Sequence, residues 1–180
     1  MTLYLIRHGT TTTSGKTFAG RLDVPLNKEG RHMAQDIMRQ LAQHPIEHIY
    51  SSPLSRAVNT ARPLADKLDL EIDQDPRLLE IDFGIYEGRA KKELGLKLRK
   101  AHGQTPISGG EALIEVWQRA GDFLTSLQPT RGDIAVVGHY WLNRMIFGQI
   151  SGMDFKSACR TRSYRPQTGS VIALHFEEQS

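Results

Sequence analysis

A chain that alternates short β-branched runs with segments of helical periodicity predicts an α/β fold, and this one does so from its first residue to about Gln149. Its 180 residues fit a single domain, positions 1–180, built around one mostly parallel central sheet with helices on both faces. No internal repeat, low-complexity tract or long linker interrupts the alternation.

Thr2 to Ile6 reads as the first strand. After a polar loop ending at Pro25, the segment from Asn27 to Gln43 sets Met33, Ile37 and Leu41 at i, i+4 and i+8, one apolar face of a helix. Ile46 to Ser51 is a second short strand. Ser52 and Pro53 then stand where an N-cap and a first-turn proline belong, opening a helix toward Leu68 that Pro63 is expected to kink or split. Leu70 to Gln74 reads as a third strand. Pro76, Gly84 and Gly88 make the stretch from Asp75 to Gly88 a functional loop without long regular structure. Between Glu111 and Leu127 the residues Leu113, Val116, Trp117, Ala120, Leu124 and Leu127 form the most regular amphipathic stripe in the chain, for which core packing is a sufficient explanation. Asp133 to Val137 suits a buried parallel strand, Trp141 to Gln149 a helix, and Ser170 to Phe176 a closing strand.

Composition removes several classes of function. With 39% hydrophobic and 24% charged residues the chain is ordinary, and no apolar run approaches the roughly 20 residues of a membrane helix, so no membrane partner is expected. The opening MTLYLIRHG lacks a basic n-region and a small-residue cleavage site, so it reads as a strand and not a signal peptide. A single cysteine, Cys159, cannot form an internal disulfide, and a cytoplasmic location fits best. The sequence pI is near 9.1, yet the net charge is only +3 and Lys and Arg are scattered among acids, which speaks against nucleic acid. The seven histidines include no HExxH or HxH pattern, and Pro45 separates His44 from His48, so neither a metal nor another cofactor is expected. Oligomeric state leaves no mark in the sequence.

Three polar groups, Arg7-His8-Gly9, Ser51-Ser52 with Arg56, and Gly138-His139, each follow a strand at its carboxyl end, and in an open parallel sheet those ends converge on one crevice. Each alone has a bland reading as a turn, a helix cap or a satisfied histidine. Together they suit a phosphomonoester, whose nearly two negative charges call for fork-shaped cationic donors such as Arg7 and Arg56. An imidazole attacks phosphorus only when neutral, and neighbouring arginines favour that form, so His8 is the candidate nucleophile. His139 can hold a phosphoryl oxygen without entering the line of attack. The departing alkoxide needs a proton, for which Glu80 is the candidate acid and Asp82 the fallback.

These residues resemble the histidine phosphatase superfamily, the phosphoglycerate-mutase-like enzymes. The likeness begins at Leu5-Ile6-Arg7-His8-Gly9 and continues through Gly20 to Leu26, Ser51 to Ala57 with Thr60-Ala61, and Glu80 to Gly84 with Glu87-Gly88. Gly109-Gly110-Glu111 and Val137-Gly138-His139 with Arg144 complete the order. The resemblance implies a phosphorylated nucleophile at His8, a phosphate pocket of Arg7, Arg56 and His139, a proton donor and later base at Glu80, and substrate-binding positions at Ser14, Gly20 and Tyr140. The chain departs from the family at Thr10, commonly Glu or Gln, at Ser14, commonly Asn, and at Tyr140, commonly small. Tyr140 and Trp141 are either aromatic core or a wall against the organic part of the substrate.

Several functions fit this pattern. The short stretch from Gly88 to Gly109 leaves little room for an insertion enclosing a bisphosphate, which favours a phosphatase of small phosphorylated metabolites over a phosphoglycerate-type mutase. The motifs from Ile81 to Glu111 are similar to α-ribazole phosphatases and equally to broad-specificity relatives. A protein phosphohistidine phosphatase is the alternative that Glu80 opposes, because a phosphoramidate leaving group needs less help. A non-catalytic phospholigand-binding module, suggested by Thr10, Ser14 and Tyr140, is opposed by the intact His8, Arg56, Glu80 and His139.

Overall fold

The strands Thr2–Arg7 and Asp133–Gly138 are buried on both faces, which is why they read as continuous apolar runs and not as alternating ones. A computed structural model describes residues 1–94, 98–127 and 132–175. Strands β1 (Thr2–Arg7), β2 (Ile46–Ser51), β3 (Ile72–Gln74), β4 (Asp133–Gly138) and β5 (Val171–His175) form one sheet in the order β3-β2-β4-β1-β5. β1 to β4 are mutually parallel, and β5 is antiparallel to β1 at the edge. Phe176, expected at the end of β5, lies outside the described residues.

Leu3 and Leu5 of β1 join Ile134 and Val136 of β4 in one core, while Tyr4, Ile6, Ala135 and Val137 face the other. Helices α1 (Lys28–Leu41) and α2 (Ser55–Leu68) cover the second face with Ile37, Leu41, Ala61 and Leu64. Two single-turn helices, α3 (Lys91–Leu94) and α4 (Leu98–Ala101), precede α5 (Leu113–Ser126), α6 (Tyr140–Ile150) and α7 (Phe155–Arg160). Leu113, Val116, Phe123, Met145 and Ala158 of the last three helices pack in the first core. The α/β architecture with helices on both faces is therefore as the sequence predicts.

The start of α2 differs from expectation. Leu54 is its N-cap and makes no side-chain cap bond. Asp23, from a distant loop, instead accepts the amide of Ser55 at 2.8 Å. Sequence reads only local capping, so a cap supplied across 32 positions escapes it. Pro63 does not split α2, which runs unbroken from Ser55 to Leu68. The buried Ala57, Ala61, Leu64 and Ala65 face holds the helix, and the carbonyl four residues before Pro63 belongs to exposed Asn59, where water can satisfy it.

The sheet register aligns the site. Arg7 pairs with Gly138, and Ser51 with Val137, so the carboxyl ends of β1, β2 and β4 finish at one level. The chain then leaves β1 through a tight passage: a Cβ on Gly9 would stand 2.5 Å from the Gly30 carbonyl oxygen, and one on Gly30 would run into the Thr10 carbonyl. Asn27 fixes this crossing, accepting the Gly30 amide and the Thr10 hydroxyl, each at 2.8 Å. Gly30→Ala is expected to destabilise the protein by about 1–3 kcal/mol through overpacking, read as a lower urea midpoint with an unchanged slope. A midpoint equal to wild type would show that the contact relaxes freely.

Candidate active site

His8 follows β1 directly, and its amide donates to the Gly138 carbonyl at 3.1 Å. The Gly9 amide donates to the Thr60 hydroxyl at 3.0 Å, so α2 pins the turn that carries the imidazole. His8 is 7% exposed, and its Nδ1 lies 2.7 Å from the Gly9 carbonyl oxygen. A carbonyl only accepts, so Nδ1 carries the proton and the neutral ring keeps a lone pair on Nε2. Burial, then the charges of Arg56 and Arg7, lower the His8 pKa from 6.5 to about 3.

His139 is fully buried with its ring centroid 5.0 Å from that of His8. Neither ring nitrogen has a partner among the described residues. Burial and the Arg56 charge hold its pKa well below the ordinary value. Arg56, 2% exposed, donates to the Leu22 and Gly20 carbonyls at 2.7 and 2.6 Å, and Arg7 donates to Pro166 at 2.8 Å. Their Nε atoms are buried and unpartnered among the described residues. Desolvation lowers the pKa of both guanidinium groups.

Glu80 reaches across to the N-terminus of α6. Its Oε1 accepts the amides of Ile81 at 3.0 Å, Trp141 at 3.1 Å and Leu142 at 3.4 Å, while among the described residues Oε2 receives Trp141 alone, at 3.3 Å. The carboxylate thus satisfies orphan amides of the first helical turn. Arg7, His8, Arg56 and Glu80 line one cavity of about 1000 Å³, and the fully buried His139 joins them through its ring contact with His8.

The substrate-binding candidates also line it. Ser14 uses its hydroxyl to accept the Thr11 amide at 2.8 Å, shaping the loop that follows His8. Gly20, at φ +49°, gives its carbonyl to Arg56 and leaves no room for a Cβ beside the Glu87 carboxylate. Tyr140 stands on the cavity wall with the guanidinium carbons of Arg7 and Arg144 5.2 and 5.7 Å from its ring centre. Arg144 itself is occupied by the carbonyls of Ala158, Cys159, Thr161 and Tyr164. Among the described residues no group of three or more His, Cys, Asp or Glu is placed to hold a metal ion, and no described helix is long and apolar enough to cross a membrane.

The sequence model of the histidine phosphatase superfamily, branch 1, matches residues 3–180. The chain belongs to this superfamily. Phosphoserine phosphatase 1 of Hydrogenobacter thermophilus is 28% identical over 189 residues, covering 98% of this chain and 87% of that one. Fructose-2,6-bisphosphatase TIGAR of Xenopus laevis is 37% identical over 134 residues, covering 69% of this chain and 49% of its own. The α-ribazole phosphatase of Shigella flexneri superposes with a TM-score of 0.86 at 24% identity, over 99% of this chain and 92% of that structure, and so shares the fold.

In this histidine phosphatase a second layer holds Glu80. Arg119 of α5 donates to the carbonyls of Arg77 and Leu79, each at 2.6 Å, and of Glu80 at 3.1 Å. Glu111 accepts Arg119 at 3.1 Å, Arg21 at 3.0 Å and the Asp82 amide at 3.0 Å. The sequence stripe assigned α5 to the core and passed over Arg119 on its flank. Lys91, Arg99 and Arg165 line the cavity without belonging to any periodic pattern, and sequence reasoning missed them too.

Three outcomes are expected. In nuclear magnetic resonance the Cε1 protons of His8 and His139 hold constant shifts from about pH 5 to 8, whereas a midpoint near 6.5 would contradict the neutral, desolvated rings. Because the unfolded chain binds these protons and the folded chain refuses them, stability falls as pH drops from 6.5 toward 3. Arg119→Met, which strips donors from three carbonyls and a carboxylate, lowers stability by about 2–3 kcal/mol in urea unfolding.

Proposed function

We propose that the protein is a phosphomonoesterase that takes the phosphoryl group of small phosphorylated metabolites onto Nε2 of His8 and passes it to water. The hydrogen bond from His8 Nδ1 to Gly9 carries this reading, because it leaves a lone pair on the opposite nitrogen beside three unsatisfied donors. Arg7 and Arg56 offset the charge of the ester, and His139 donates to a phosphoryl oxygen. The N-terminus of α6, which starts at Tyr140, adds a favourable dipole.

In the first half-reaction Nε2 bonds to phosphorus as the bond to the ester oxygen breaks, and Glu80 Oε2, the less occupied carboxyl oxygen, delivers a proton to the leaving alkoxide. A bound dianion nearby favours the protonated acid beforehand. In the second half-reaction water attacks phosphorus, the bond to Nε2 breaks, and Glu80 takes the proton from that water. Phosphate leaves and His8 returns to its neutral form. No step calls for a metal or another cofactor. The cavity mouth reaches exposed Gly15, Arg99 and Lys100, which gives water access to the phosphohistidine and supports hydrolysis over transfer to a second sugar or acid.

Incubation with p-nitrophenyl phosphate in excess chelator, followed by a base quench, is expected to yield turnover and base-stable phosphate on His8. His8→Ala abolishes both. Absence of turnover by wild type would leave a phospholigand-binding module. Glu80→Gln is expected to lower kcat/KM by about 10² to 10⁴ for alkyl esters and far less for p-nitrophenyl phosphate. Equal losses would remove Glu80 from the acid role.

A further inference from the structure

The two arginines of the pocket are held in different ways. Arg56 gives each terminal nitrogen to a backbone carbonyl, those of Leu22 and Gly20 at 2.7 and 2.6 Å, which fixes the plane of its guanidinium. Arg7 makes one side-chain hydrogen bond among the described residues, to the Pro166 carbonyl at 2.8 Å, and no described carboxylate lies within ion-pair distance of it. One hydrogen bond leaves a planar group free to turn about that bond. A fork that grips a phosphoryl group with two parallel N–H donors has to be set in plane as well as in place. A second contact is needed to fix Arg7.

The face of Tyr140 supplies it. β1 and β4 pair in parallel with Arg7 opposite Gly138, and α6 begins two residues after Gly138, so the sheet register brings residue 140 beside residue 7. The guanidinium carbon of Arg7 lies 5.2 Å from the centre of the Tyr140 ring, within the range of a cation–π contact. The ring is itself backed. One turn along α6, Arg144 sets its guanidinium 5.7 Å from the centre of the same ring and 5.4 Å from that of Trp141. Arg144 is 2% exposed and cannot swing, because its two terminal nitrogens donate to the carbonyls of Tyr164, Ala158, Cys159 and Thr161. Trp141 meets Tyr140 edge to face, with ring centres 5.3 Å apart at 90°. Tyr140 thus joins a locked arginine to one that is half free.

From this arrangement we infer that Tyr140 is a positioning residue: its ring, braced by Arg144 and Trp141, sets the plane of the Arg7 guanidinium so that its unpaired N–H groups, the buried Nε among them, face the phosphoryl oxygens. The inference rests on the phosphomonoesterase reading in taking the ligand to be a phosphoryl group, and it moves Tyr140 from contact with the organic portion of the substrate to support of the pocket. Because the ring orders a long side chain before the anion arrives, binding forgoes the entropy loss of fixing it. A wall against the organic portion would instead leave the pocket indifferent to the ring whenever the ligand has no organic portion. Plain core packing is opposed by the half-buried place of Tyr140 on the cavity wall.

Vanadate, which carries no organic portion, is the probe, and its binding is measured by calorimetry on variants whose urea midpoints are recorded alongside. Tyr140→Leu and Tyr140→Met, two ringless side chains that suit a helix, are each expected to weaken vanadate by about tenfold, on the order of a desolvated cation–π contact. Tyr140→Phe keeps the ring and is expected to bind within about threefold of wild type. In an Arg7→Met background Tyr140→Leu has no further effect, because the ring acts through Arg7. In turnover, Tyr140→Leu lowers kcat/KM by the same factor for p-nitrophenyl phosphate and for glycerol 3-phosphate. Vanadate affinities that follow this pattern with no turnover by wild type would sink the hydrolytic reading and keep the positioning role. Wild-type vanadate affinity in both ringless variants, a loss of equal size in the Arg7→Met background, a loss that Tyr140→Phe shares in full, or one confined to the aromatic ester would overturn the inference.

Discussion

The site depends on a single proton on Nδ1 of His8, held by the carbonyl of Gly9 next door. Were that proton on Nε2, the ring would present a donor where phosphorus needs an electron pair. The fold makes this tautomer the stable one. Burial and two guanidinium groups refuse a second proton, and the backbone oxygen fixes where the first one sits. Thr60 and Gly138 hold the turn so that the carbonyl points back at its own neighbour's ring. The proposed nucleophile, the pocket and the register are thus one arrangement read at three scales.

Around that proton the structure sets groups that are costly to bury. His139 has two unsatisfied ring nitrogens, and Arg7 and Arg56 each keep a buried Nε without a partner among the described residues. Desolvated donors of this kind weaken a fold unless something claims them, and they cluster where an anion is to be received. Glu80 is the counterweight, anchored by helix amides at one oxygen and by Arg119 through its backbone. The proposed acid and the proposed nucleophile come from separate segments that share α6 and the ends of β1 and β4.

Much of this was legible in the sequence, and the reasons differ by element. Arg7 and Gly138 stood at strand ends because apolar runs of about five residues have clear boundaries, Ser51 because Ser52 and Pro53 break the short strand before it, and parallel pairing then put those ends together. The helices α1 and α5 announced themselves by apolar spacing. What stayed hidden was long-range and polar. The cap of α2 comes from Asp23, and the clamp on Glu80 comes from Arg119, through contacts that no local window contains. Helices α3, α4 and α7 are too short for periodicity to register, although Asp154 caps α7 in the ordinary way. Lys91 owes its place to the bridge between Thr17 and Ala90, a pairing without any hydrophobic alternation to betray it.

The most direct measurement of the central claim is a crystal structure of the protein soaked with vanadate. The account predicts a bond between vanadium and Nε2 of His8, equatorial oxygens met by Arg7, Arg56 and His139, and Glu80 Oε2 beside the apical oxygen. Vanadate bound elsewhere, or held in the pocket with Nε2 protonated and Nδ1 turned toward the metal, would contradict it.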